Sequence, residues 1–249
     1  MLLTLMAAAF EIVTVAQNPF GLAIGRDGAL YICEVDAHAI TRYDFSTKAK
    51  TVVARGNEPY EIRFDKAGAL FYVDRLEHSV RRVDLKTGEN RMLLGEGLKQ
   101  PHALEWSGNG QLLICDTMNN RVVELDPASG AHHEWAKYRG ARTFAKDSRG
   151  TLYLALREGN AILRIDAGTK EAAQVAGVGP KGMAWAPDGS LYLADTENHR
   201  ITRLNPKTGA IETVLEGLKR PHGVLVHEGW LYIGDSENHR VLRLRIRMD

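Results

Sequence analysis

Six side chains capable of binding or proton chemistry occupy one position of a repeating pattern. Phe20, Tyr60, His102, Arg142, Lys181 and His222 each follow the residue that opens a repeat: Pro19, Pro59, Pro101, Ala141, Pro180 and Pro221. The set holds two aromatic rings, two imidazoles that can act as bases or metal ligands, and two fixed cations. Arg142 and Lys181 are neighbours in repeat order and can together hold a carboxylate or phosphate. A scaffold repeated six times dictates whatever recurs, so a position that varies among ring, imidazole and cation is free to serve a ligand. Polar and aromatic groups converging on a concave mouth are what such a site needs. The competing reading is that these are solvated channel residues.

Residues that recur read differently. Fifteen positions after each opening residue, or fourteen in the last repeat, an acid closes a strand: Glu34, Asp74, Asp116, Asp195 and Asp235, with Leu156 the exception. Four residues later come His38, His78, Asn120, Asn160, His199 and His239. Histidines and aspartates in such number suggest metal ligands, yet one per repeat spreads them apart. The expectation is a scaffold role, with each acid accepting hydrogen bonds from turn amides. His132, His133, Glu134 and Trp135 form a run on an expected outer strand. Adjacent strand residues face opposite ways, so the two histidines cannot easily share an ion. Glu61 and Glu105 lie near inner strands, where a lactonase-like site would want carboxylates, but no pattern selects them. The fourth repeat departs most, with Ala141, Leu156 and "LREGN". That reads as repeat drift, or else as a specialised wall offering Arg142 and Arg157 to an anion. No serine-nucleophile motif, phosphate loop or paired-cysteine zinc signature is present.

The elements that must position these residues follow from the period. The opening residues recur every 39 to 42 positions, a spacing that signals stacked supersecondary units. Each unit reads as short apolar or alternating runs, such as "LYIGD", separated by Gly-closed turns such as "RDGAL" and "PDGSL". Four strands per unit and six units predict an all-β fold, a six-bladed β-propeller with four-stranded blades. The last unit ends after three strands, while "FEIVTVAQNP" before the first matches a fourth-strand segment. Residues 10–16 are therefore expected to complete the last blade beside roughly 241–247. One propeller domain over 10–249, preceded by a tether over 1–9, accounts for the chain.

Composition agrees. Hydrophobic residues are 44% and charged residues 25% of 249, ordinary globular values, and the net charge of +1 gives no bulk pull toward nucleic acid or a membrane surface. No run approaches the ~20 apolar residues of a membrane-spanning helix. "MLLTLMAAAF" is apolar but lacks a preceding Lys or Arg, so it is not a complete signal peptide, and the compartment stays open between cytoplasmic and exported. Cys33 and Cys115 share one repeat position two blades apart, a slot for a small buried side chain. They are too far apart to pair as a disulfide.

The segments "LYLADTENHRI" and "LYIGDSENHRV", with Asn198-His199-Arg200 and Asn238-His239-Arg240, resemble the NHL repeat. The first four copies are looser, but the resemblance covers essentially the whole chain. It implies a propeller of a family that includes protein- and RNA-binding modules and an amidating lyase, with lactone enzymes in related folds. Bacterial relatives often carry long loops between blades, whereas "RGNEP" and "EGLKRP" here are minimal. The zinc-binding copies of the amidating lyase place His after Pro in three alternate blades. Only His102 and His222 match, in opposite blades, which makes them weak candidates for zinc or calcium. The expectation is therefore a monomeric binding propeller for a small molecule, a peptide or a protein partner. A metal-assisted lyase or hydrolase is the alternative. A third reading is an engineered or minimised scaffold without activity, since fold does not fix function.

Overall fold

The computed structural model describes residues 10–166 and 168–246; the expected tether over 1–9 lies outside them. The described residues form six four-stranded antiparallel sheets arranged in sequence order, the six-bladed propeller that the period predicts. Blade 1 runs outward through Pro19–Ile24, Leu30–Glu34, Ala39–Tyr43 and Lys50–Arg55. Blades 2 to 4 repeat this from Pro59, Pro101 and Ala141. In blades 5 and 6 the inner strands start later, at Met183 and Val224. The cause is close backbone approach. A Cβ on Gly182 would lie 2.0 Å from the His222 carbonyl oxygen, and one on Gly223 would lie 1.9 Å from that of Phe20. Only glycine lets neighbouring inner strands come so near.

Ring closure is as expected. Phe10–Val15 pairs antiparallel with Arg240–Arg245, from Phe10 opposite Leu244 to Val15 opposite Arg240. The amide of Ala16 continues the join, donating to the His239 carbonyl at 2.9 Å.

The second strand of each blade is flanked by blades on both sides, so it reads as an apolar run rather than an alternation. Leu70–Asp74 and Leu112–Asp116 are buried at every position. Cys33 and Cys115 are fully buried in these strands and unbonded. Burial pushes both thiols well above their ordinary range. They act as small hydrophobes.

The recurring acids and histidines belong to the scaffold. Asp74 is fully buried and accepts the amides of Asn57 at 2.7 Å, Glu58 at 3.0 Å and Glu77 at 3.1 Å. Asp116 and Asp235 take the amides of Lys99 and Lys219, both at 2.7 Å, and pair with Arg121 and Arg240. The residues four places on adopt left-handed backbone, with φ between 45° and 58° at His38, His78, Asn120, Asn160, His199 and His239. Asn and His tolerate that region better than most residues, which explains their recurrence. All four histidines also reach the neighbouring blade: Nδ1 of His78, His199 and His239 accepts from the amides of Gln100, Arg220 and Asn18, and Nδ1 of His38 donates to the Asn57 carbonyl.

Replacing Asp74→Ala leaves three amides without an acceptor inside the fold. The expected loss is about 2–3 kcal/mol, read as a lower urea midpoint with unchanged slope. An unchanged midpoint would remove the capping role.

Candidate functional site

The six varying residues reach one place because each inner strand bulges there. In blade 2, Pro59 pairs with Asp74 and Glu61 with Val73, so Tyr60 has no partner of its own. His102 and Arg142 are skipped in the same way, and Phe20 with Gly21 in blade 1. A bulge re-aims the extra side chain away from the ladder. In blades 5 and 6, Lys181 and His222 sit just ahead of the shortened strands, their amides donating to Ala194 and Gly234. All six side chains line one cavity of about 440 Å³ at a mouth of the central channel.

Within the mouth the rings form a chain. His222 stacks on Phe20 with centroids 3.8 Å apart, Phe20 meets Tyr60 edge-on at 4.7 Å, and Tyr60 meets His102 edge-on at 4.8 Å. Each of these four residues is less than a tenth exposed, so the rings present faces and edges to the cavity and little to bulk water. Both imidazoles are oriented by backbone: Nδ1 of His102 donates to the Gln100 carbonyl at 2.8 Å, and Nδ1 of His222 to that of Arg220 at 2.9 Å. This fixes the tautomer with the lone pair on Nε2. Burial, reinforced by Arg142 at His102 and by Lys181 at His222, lowers both imidazoles to about 3. They are neutral at physiological pH.

Residues that sequence reasoning passed over complete the wall. Glu58 and Arg75 pair at 2.5 Å, and the Arg75 guanidinium lies 5.8 Å from the Tyr60 ring centre. Glu197 bridges Lys181 and Arg220, each at 2.6 Å, and the hydrogen bonds from Arg220 and Lys181 hold its carboxyl down at about 2. Burial depresses Lys181, partly offset by Glu197. Glu58 precedes an opening proline and Arg75 follows a strand-end acid, so their repeat positions were the available signal. Arg157, also of the irregular fourth blade, lines this cavity as well.

The donor set does not suit a divalent ion. Among the described residues no three His, Cys, Asp or Glu side chains come together as a metal group. At the mouth, Arg75, Arg142 and Lys181 surround the two imidazoles, and positive charge opposes a cation there. The pair His102 and His222 thus lacks a third ligand, and the carboxylates of the cavity, Glu58 and Glu197, are already held by Arg75 and by Lys181 and Arg220.

Glu61 and Glu105 serve another purpose. Arg63 bridges them, Nη1 to Glu61 at 2.5 Å and Nε to Glu105 at 3.0 Å, while Lys146 reaches Glu105 at 3.3 Å. This ionic plug runs from the channel interior to the opposite mouth, where Arg63, Glu105 and Lys146 line a separate cavity. His132 and His133 are exposed on an outer strand, with His133 facing Glu124.

Known proteins extend this picture. Structures with the same fold include virginiamycin B lyase from Staphylococcus aureus, at 16% identity and TM-score 0.70, covering 97% of this chain and 90% of that one. A catalytically inactive histidine variant of that lyase with quinupristin matches at 17% identity and TM-score 0.71, over 97% and 86% of the two chains. A gluconolactonase from Xanthomonas campestris superposes at TM-score 0.82 with 14% identity, over 96% and 90%. No curated protein matches by sequence. The family profile that matches spans residues 5–246, and it describes a propeller family other than the one the Asn-His triplets resemble. By that match over nearly its whole length, the chain belongs to the virginiamycin B lyase family.

Proposed function

We propose that the protein binds a small molecule at the mouth lined by Phe20, Tyr60, His102, Arg142, Lys181 and His222. The carrying observation is convergence: six bulged or strand-leading residues, none fixed by the repeat, line one cavity. A second reading, cleavage of a bound ester or lactone, is favoured by the tautomer-fixed imidazoles and by membership of a family named for a lyase. In that reading a neutral Nε2 accepts a proton from the bound molecule or from water, while Arg142 stabilises the oxyanion that develops. An imidazole lowered to about 3 is a weak base, so turnover depends on the bound molecule raising it.

The test is a thermal-shift and turnover screen with small lactones, esters and hydroxy acids, on wild type and a His102→Gln, His222→Gln variant. The wild type is expected to show a ligand-dependent shift, and the variant to need at least roughly tenfold more ligand for the same shift. Turnover that disappears in the variant establishes the second reading. A screen without any shift, or one that the variant reproduces unchanged, overturns the site.

A further inference from the structure

Among the described residues Arg142 is a guanidinium without a counter-ion. Its bulged position throws it across the mouth, and its only hydrogen bond among the described residues is from Nη2 to the Tyr60 hydroxyl, 82 residues away, at 3.3 Å. Its Nε is fully buried and has no partner. The two carboxylates of the cavity cannot supply one, because Glu58 is held by Arg75 and Glu197 by Lys181 and Arg220. Four cations and two carboxylates line this space, which leaves an excess of two positive charges. An arginine carries five donors in a planar fork suited to two oxygens of one anion, so one filled donor leaves most of that capacity unspent. A buried polar atom left unpaired costs stability, and it persists where a ligand completes it.

The neighbouring groups define the rest of the ligand. Nε2 of His102 and Nε2 of His222 carry lone pairs, since each Nδ1 is committed to a carbonyl. A carboxylate alone has no hydrogen to offer them, whereas a hydroxyl does. The Phe20 and Tyr60 rings furnish flat walls between the two imidazoles.

We infer that the mouth takes a small hydroxylated oxyanion, its carboxylate or phosphate on Arg142 and a hydroxyl donating to an imidazole Nε2. This rests on the mouth being a ligand site and adds the class of ligand. Carboxylate and phosphate share the recognition chemistry, and the probes separate them.

The experiment compares D-gluconate, D-glucose 6-phosphate and D-glucose by thermal shift and titration calorimetry, on wild type, Arg142→Met and Arg142→Lys. One or both of the anions is expected to bind the wild type, with glucose at least about tenfold weaker. The anion that binds identifies the headgroup. Arg142→Met is expected to lose the anion response, while its own midpoint without ligand rises, because a buried, unpartnered Nε has been removed. Arg142→Lys, a charge without the fork, should retain weak binding only. A purely structural Arg142 predicts the reverse: a lower midpoint for Arg142→Met and an unchanged anion response, which overturns the inference. Glucose binding as well as the anions also overturns it, while leaving the mouth as a ligand site. If neither anion binds, the inference falls, and the lactone and ester screen decides separately whether the mouth binds anything.

Discussion

Deleting residues 1–16 is expected to lower the thermal midpoint by on the order of 10 °C, or to prevent folding altogether. The segment does more than add an edge. Phe10–Val15 pairs along the length of Arg240–Arg245, and Ala16, fully buried, packs with Leu22, Leu30, Tyr232 and Val241 in a cluster that joins blade 6 to blade 1. Without it, Val241, Leu242 and Leu244, each less than 5% exposed, stand on an open edge. Losing the ladder and part of that cluster costs about 3–5 kcal/mol, and each kcal/mol moves the midpoint of a domain this size by about 2–4 °C. Ile12→Ser is the control: its side chain is 59% exposed, so pairing without hydrophobic burial predicts little change. A deletion variant that melts like the full chain would show that the ring does not depend on this splice.

The second large effect lies in the channel. Arg63→Met leaves Glu61 and Glu105 close together and partly buried, with only Lys146 to answer Glu105. Removing one partner of a buried ionic group costs about 3 kcal/mol or more, because a charge remains without compensation. Burial already raises the Glu61 carboxyl, and Arg63 is what restrains it. Burial also pushes Glu105 upward, but Arg63 and Lys146 outweigh it and hold that carboxyl below its ordinary value. In the variant both rise.

A carboxyl whose folded value lies above its unfolded value binds more protons when folded. Acidification then favours the folded state. The deficit of Arg63→Met is therefore expected to be largest at neutral pH and above, and to shrink as pH falls through the raised folded values toward about 4.3. Urea melts at several pH values read this directly. Adding Glu61→Gln and Glu105→Gln should recover most of the loss at neutral pH. A deficit that is the same at every pH would mean that lost packing of the Arg63 stem, not charge, is responsible.

The division between what was legible and what was not can be followed along one inner strand. Pro59 opens a repeat, Asp74 ends the partner strand, and His78 stands four residues on; each follows from local pattern. The amides that Asp74 accepts and the left-handed φ of 55° at His78 are consequences of that same pattern. Tyr60 was legible as a varying residue at a channel mouth, but the bulge that turns it inward was not. A bulge leaves no residue signature here, since Phe, Tyr, His and Arg all occupy it. Glu61 was visible as a carboxylate near an inner strand, though no pattern selected it, whereas its partner Arg63 and the link from Arg63 to Glu105 were not. Glu58, Arg75 and Glu197 were missed for the same reason.

The repeat period, the strand and turn types, the small buried slots of Cys33 and Cys115 and the join of the two termini were all determined by the sequence itself. These depend on spacing within a unit of about forty residues and on the conformational limits of Gly, Pro, Asn and His. Tertiary structure alone decided which charges are spent and which are free: Arg63, Arg75 and Lys181 are paired, while Arg142 reaches toward Tyr60 and meets no carboxylate. Glu58–Arg75 and Lys181–Glu197 close within one blade, across the pairing of its two inner strands. The Arg63–Glu105 pair and the reach of Arg142 to Tyr60 join different blades, where distance is set by ring closure and bulge geometry rather than by separation along the chain.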